Sequence, residues 1–360
     1  MPAASHTVSK PAVAVFTGAG ASVTFGYPLT SQLLPGILAR LADGSLFGED
    51  GVDEREALAG ALRALFPGLP IQRDVTEVAI WITDILSLLD QALQSGTALH
   101  PRLRPEQLRR CRELLGRALF EVLVAAGPHP AQQRFHGWIE RLVREGHVGV
   151  VSTNYDLTVD QPLLDARGKD ASSIDFGFDW RDAGDNSVHP RPRQPTLGLY
   201  KLHGSLNWLR CELCEHVYVN PYGTIAHQAF LRERTEWNTC DCGGSLGAQL
   251  VAPSLVRDVR DPTLLGIWKS ALELMRRAEH WCFIGYSLPA EDVAIRALLL
   301  RAYHARETPP RVTVVQLGSR AQPQYELLFP GCTYHDKGLV AFLDGLDANA
   351  EAQGGGETKR

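Results

Sequence analysis

Five short stretches carry residues whose types and spacing could do chemistry. VFTGAGAS (Val15 to Ser22) sets Gly18 and Gly20 behind an apolar run, where a side-chain-free backbone can bring N–H groups close to a phosphate and Ser22 can add a hydroxyl. Val23 takes the third glycine position of the dinucleotide fingerprint, so a plain strand-to-helix turn explains these glycines equally well. VVSTNYD (Val150 to Asp156) places the Asn154 amide two residues before the Asp156 carboxylate, a pair that can orient a hydroxyl, a water or a carboxamide, or simply close an Asx-turn. KLHGSLNWLRCELC (Lys201 to Cys214) puts His203 eight residues ahead of a Cys-x2-Cys pair, as a base, a metal ligand or a polar residue closing a strand. Cys211, Cys214, Cys240 and Cys242 form C-x2-C-x25-C-x-C, which suits a closed, structural tetrahedral zinc. The second pair is one residue shorter than the usual knuckle, and His216 or His227 is the substitute ligand should it prove too cramped. Last, IGYSLPAEDVAIRALLLRA (Ile284 to Ala302) offers Ser287 as a phosphate donor or a helix cap, with Glu291 and Asp292 in the first turn of the helix that follows.

Four of these stretches follow apolar, β-branched runs of strand length. The runs AVAVF (Ala12 to Phe16), HVGVV (His147 to Val151), LGLYK (Leu197 to Lys201), HWCFI (His280 to Ile284) and RVTVV (Arg311 to Val315) read as buried strands, and each ends in a polar or glycine-rich loop. In an open parallel α/β sheet, ligands bind outside the carboxyl ends of the strands, so these loops are expected to share one crevice. Residues 53–145 carry helical periodicity, with Val75, Val78, Ile82, Ile85 and Leu89 expected on one face, and form a helical insertion. The expected division is a disordered N-terminus at 1–10, a domain at 11–345 and a disordered tail at 346–360. Within that domain the Rossmann-like core takes 11–52, 146–210 and 251–345, and the small cysteine module takes 211–250.

Composition narrows the class. A net charge of -5 leaves no general basic footprint for a nucleic-acid backbone. Apolar runs fall short of the roughly 20 residues of a membrane span, and the first residues lack a signal-peptide pattern, so a cytoplasmic chain is expected. Seven cysteines, four of them in two close pairs, fit metal binding better than a disulfide framework.

The order TGAGAS, STNYD, LHGS, Cys-x2-Cys, CDCGGSLGAQLVAPSLV and IGYS resembles the sirtuins, and more closely the prokaryotic SIR2-like NAD-consuming proteins. The resemblance implies an α/β, Rossmann-like parallel sheet with a helical insertion and a zinc-ribbon-like module. It implies that Gly18, Ala19, Gly20 and Ser22 line a pyrophosphate, and that Thr153, Asn154 and Asp156 lie at the nicotinamide ribose. His203 becomes the catalytic base with Asn154 and Asp156 beside it, Gly285 and Ser287 bind near the adenosine half, and Gln316 takes the adenine-ribose position. NAD is then a substrate and Zn(2+) a structural ion. Protein-deacylating members carry a Gly-Ile-Pro-Asp-Phe-Arg type segment where this chain has GYPLTSQ (Gly26 to Gln32), and a glutamine where it has Thr153. Those departures favour hydrolysis of NAD to nicotinamide and ADP-ribose, as in SIR2-like NADases of antiphage defence. The alternative is NAD-dependent lysine deacylation, for which VAPSLV resembles the segment that pairs an acyl-lysine peptide. A non-catalytic NAD or ADP-ribose sensor is a third class. A regulatory protein partner and a homo-oligomer are expected on the ground that unrestrained NAD destruction harms the host cell.

Overall fold

The computed structural model describes residues 13–72, 75–124, 130–146, 148–192, 197–223, 239–250, 261–290 and 292–354. Six strands form the main sheet: β1 (Val13–Thr17), β2 (Val148–Ser152), β5 (Leu199–Lys201), β9 (His280–Ile284), β10 (Arg311–Val315) and β11 (Thr333–His335). Their order is β11-β10-β9-β1-β2-β5 and every pairing is parallel. The five apolar runs read from the sequence supply five of these strands. β2 is buried along its whole length, which is why its sequence shows no polar alternation. The chain starts at β1, steps outward through β2 to β5, then returns to β9 on the other flank and steps outward again. The topological switch point therefore lies between β1 and β9, where such sheets open a crevice at the carboxyl edge.

Between β1 and β2 run α1 (Ala19–Val23), α2 (Thr30–Asp43), α3 (Val52–Leu65), α4 (Ile82–Ser95), α5 (Pro105–Val124) and α6 (Pro130–Arg144). The helical unit opens with α2, ahead of the expected boundary at residue 53, because Leu33, Leu34, Ile37 and Leu38 pack with α3, α4 and α5 in one core. α4 starts later than the periodicity suggested. The Asp84 carboxylate accepts the Trp81 N–H at 3.0 Å and caps the helix there, leaving Val75 and Val78 as non-helical residues packed on the same core.

A second sheet holds β3 (Trp180–Asp182), β4 (Val188–His189), β6 (Gly204–Cys211), β7 (Val217–Val219) and β8 (Leu246–Leu250) in the order β4-β3-β7-β6-β8. The cysteine module is thus larger than residues 211–250. It starts with β6 directly after His203 and recruits β3 and β4 from the stretch 146–210 expected in the Rossmann-like core. One face of β6 and β7 contributes Leu206, Leu209, Cys211 and Tyr218 to the helical core, so the module and the helices share an interior.

The remaining described helices are α7 (Asp160–Ala166), α8 (Pro262–Arg277), α9 (Val293–His304), α10 (Gln322–Leu328) and α11 (Gly338–Gly354). α11 corrects the expected tail: helix continues to Gly354 where disorder was expected from residue 346. Leu339 and Leu343 seat its first turns in the main core, and Arg134 of α6 donates to Asp344 at 2.6 Å and Asp347 at 2.9 Å. Leu346 also packs against that core, and helix propagates onward from the nucleus so anchored. Residues 355–360 and the N-terminal 1–10 lie outside the described residues. Among the described residues no helix is long and apolar enough to cross a membrane.

Candidate functional site

At the switch point the loops after β1 and β9 interlock through glycine. Gly18 N–H donates to Ile284 O at 3.0 Å and Gly20 N–H to Gly285 O at 2.9 Å. A Cβ on Gly18 would stand 2.7 Å from Tyr286 Cα, and one on Gly285 only 1.9 Å from Ala21 N. Gly285 also has φ of 63°, in the left-handed region. The sequence offered Gly18 and Gly20 to a phosphate and Gly285 to the adenosine half; in the fold their bare backbones are what lets the two loops touch, and the N–H groups of Gly18 and Gly20 bond the carbonyls of Ile284 and Gly285. Gly285→Ala is expected to cost about 2–4 kcal/mol, from forbidden backbone and overpacking together. Urea denaturation checks it, and an unchanged midpoint would show that the loops do not meet this closely.

The end of β2 builds a buried polar network against the same turn. Asn154 Nδ2 donates to Gly18 O at 3.0 Å and to Ser22 Oγ at 2.9 Å, and Ser22 Oγ donates to Asp156 Oδ2 at 2.7 Å. Asp156 Oδ1 accepts from Thr158 N at 3.0 Å, so the Asx-turn suggested by the sequence is present as well. Ser152 Oγ accepts from Thr17 Oγ1 at 2.9 Å and from Asn154 N at 3.1 Å. Thr153 bonds Thr17 O through both its N–H and its hydroxyl. Asn154, Asp156 and Ser22 are all buried, which strengthens each of these bonds. Tyr27, in the GYPL turn that distinguishes this chain, feels the same charges: burial first, then Asp156 and Asp160, push its phenol up to about 12.

His203 follows β5 and meets this network from the neighbouring strand. Its Nδ1 lies 3.1 Å from Thr153 O, an atom that can only accept, so Nδ1 carries the proton and the neutral ring keeps its lone pair on Nε2. The backbones of the two loops are stitched by Leu202 N–H to Ser152 O at 2.8 Å and Leu206 N–H to Tyr155 O at 2.9 Å. The Tyr155 ring sits 6.2 Å from the imidazole. Sequence reasoning missed two charged residues beneath these loops. Lys201, fully buried, donates to Asp160 Oδ2 at 3.0 Å, and Asp160 opens α7. The signal was available: a lysine closing a strand as apolar as LGLYK must find a countercharge inside.

The adenosine-side candidates are more dispersed. Ser287 lies exposed past β9 and does not cap α9; Asp292 occupies the N-cap, and its carboxylate accepts from the Tyr286 hydroxyl at 2.9 Å. Asp292 therefore precedes the helix instead of sitting in its first turn, and Glu291 lies outside the described residues. Gln316, at the end of β10, donates its side-chain amide to Tyr286 O, which also accepts the Tyr325 hydroxyl. Ala19 opens the short α1.

Cys211, Cys214, Cys240 and Cys242 converge, with all four sulfur atoms within 4.8 Å of one another. The Sγ atoms of Cys211 and Cys242, and those of Cys214 and Cys240, are 3.5 Å apart. Zn–S bonds of about 2.3 Å would set tetrahedral sulfurs about 3.8 Å apart, so the set fits a structural zinc. The short Cys-x-Cys spacing works because Cys240 N–H bonds Gly244 O at 2.8 Å and Gly243 turns through φ of 84°, folding the pair back on itself. Burial alone pushes the Cys211 thiol up, but the N–H groups of Cys214 and Leu213 and the neighbouring sulfurs bring it down to about 6, toward the thiolate a metal needs. His216 Nδ1 is 3.3 Å from Cys214 Sγ and stands outside the four-sulfur set, and His227 lies outside the described residues.

No protein-family model matches the chain, and no curated protein does. Solved structures do. One is Sir2 with a p53 peptide and NAD+, at 14% identity and a TM-score of 0.44, covering 96% of this chain and 95% of that one. Another, from work on the mechanism and regulation of Sir2 enzymes, has 17% identity and a TM-score of 0.42, covering 91% and 87%. A third, Sir2Tm bound to a propionylated peptide, has 14% identity and a TM-score of 0.41, covering 95% and 94%.

Proposed function

We propose that this chain is an NAD-consuming enzyme of the SIR2-like class that hydrolyses the nicotinamide-ribose bond, giving nicotinamide and ADP-ribose. One observation carries the reading: Asn154, Asp156 and His203, from two neighbouring strand ends, are joined through Ser22 and Thr153 at the carboxyl edge beside the switch point. Breaking the bond sends its electron pair to nicotinamide and leaves cationic character on the sugar carbon. The buried Asp156 carboxylate and the Asn154 amide supply charge and dipole to stabilise it in a site of low dielectric. His203, with its lone pair on Nε2, takes the proton from the water that completes the reaction. Gly18, Ala19, Gly20 and Ser22 would line the pyrophosphate; Thr153 would flank the ribose; Gly285, Ser287 and Gln316 would serve the adenosine half. Zinc would hold the cysteine module and take no part in the chemistry.

A second reading is favoured by the complete four-sulfur cluster, which suits a protein deacylase. There His203 would deprotonate a ribose hydroxyl that attacks the acyl intermediate. The segment 251–260, which contains the whole VAPSLV resemblance, lies outside the described residues. The test is nicotinamide release from NAD+ by purified protein, with and without an acetyl-lysine peptide. Release without peptide is expected; release that requires peptide selects the deacylase, and none under either condition returns the chain to a sensor. Running the assay over a range of protein concentrations also tests the proposed control by assembly, as a rise in specific activity. A protein partner, a cytoplasmic setting and a place in antiphage defence extend the same proposal.

A further inference from the structure

The buried ammonium beneath the two loops is tied to more than its countercharge. Lys201 Nζ donates to Asp156 O at 2.6 Å, Tyr155 O at 3.3 Å, Ser205 Oγ at 2.6 Å and Asp160 Oδ2 at 3.0 Å. Two of those acceptors directly follow Asn154 in the chain, and the third lies two residues past His203. Two carbonyl oxygens cannot bond one another, and the Ser205 hydroxyl reaches only Tyr155 O, at 3.4 Å, whereas a single cation binds both carbonyls and the hydroxyl at once. A buried ion pair is weak evidence of stabilisation, since apolar residues of similar size often serve a core as well. Asp160 is fully buried, and its Oδ1 has no hydrogen-bond partner among the described residues, so its charge is answered by Lys201. Burial holds the Asp160 carboxyl above its usual range, with Lys201 opposing the shift and the Asp156 charge adding to it.

We propose that Lys201 and Asp160 are a positioning pair: together they set the distance and orientation between the Asn154 loop and the His203 loop, so that amide and imidazole act on one bond. This rests on the NAD-cleaving reading above. Neither residue touches the reacting atoms; both act through the backbones they hold.

The test replaces the pair as a unit, Lys201→Met with Asp160→Ala, because removing the lysine alone strands a buried carboxylate. Ser205→Ala, which deletes one acceptor and no charge, is the milder second variant. Circular dichroism and the thermal midpoint establish that each is folded. In the folded double variant kcat for nicotinamide release is expected to fall about a hundredfold, the scale of an ångström-sized misplacement, with KM for NAD+ unchanged. Ser205→Ala should show a smaller fall of the same kind and stands in if the double variant does not fold. A second readout needs no turnover: nitrogen NMR of His203, assigned with His203→Gln, should show one tautomer in the wild type and exchange between tautomers in the folded variant. Wild-type kcat together with a wild-type tautomer in a folded variant overturns the proposal, as does a loss of rate that merely follows the unfolded fraction. If the wild type releases no nicotinamide, the NAD reading fails, and the tautomer alone decides the pair.

Discussion

His203→Ala is expected to lower nicotinamide release from NAD+ by about 10²- to 10⁴-fold, the usual share of a positioned general base. The effect should appear in kcat, with NAD+ binding and the thermal midpoint close to wild type. The reason is local. His203 is buried to 7% exposure, its Nδ1–H is committed to Thr153 O, and its Nε2 lone pair is the basic group this loop supplies. Among the interactions the alanine removes are the hydrogen bond to Thr153 O and the ring contact with Tyr155. A variant that releases nicotinamide at the wild-type rate would remove His203 from the mechanism, whichever acceptor follows.

Cys211→Ser is expected to abolish stoichiometric zinc and to cost on the order of 5 kcal/mol or more, since the free energy of a structural zinc site is folding free energy. Cys211 is fully buried, its sulfur accepts the N–H groups of Leu213 at 3.4 Å and Cys214 at 3.5 Å, and it belongs with Cys240 to the core of α2 to α5. Damage should therefore spread from the module into the helices, seen as a broad loss of helical signal at a lower temperature. Treating the wild type with a strong chelator should reproduce it, and Cys332→Ser, away from the cluster, should leave zinc content unchanged. Protein that purifies without zinc, and whose melting ignores the chelator, would refute a structural metal.

Much of the frame was legible in the sequence because its signals are local. A strand buried on both faces has to be an uninterrupted apolar run, and HWCFI and RVTVV became β9 and β10 at the residues expected. The cysteine spacing similarly names its own cluster, since two close pairs on one small module have few other partners to find. α4 and α11 were placed less well. Helix boundaries depend on caps and docking, and the Asp84 cap and the anchoring by Leu339 and Leu343 are contacts that periodicity does not report.

The candidate site divides the same way. Residue types and motif order alone singled out Asn154, Asp156, His203 and the glycine turn, because catalysis needs titratable and amide groups at strand ends. Three things took the folded chain to decide. The glycines of the first loop turned out to fit against Gly285, since close approach of two backbones is a property of space and not of either stretch. Ser287 stands five positions ahead of Asp292, which holds the N-cap position of α9. Lys201 and Asp160, 41 positions apart, became a pair only once β5 lay beside β2. Sequence determined which groups are present and which strands carry them. Tertiary structure decided which of those groups face one another, because a buried charge or amide takes its role from the nearest partner in three dimensions.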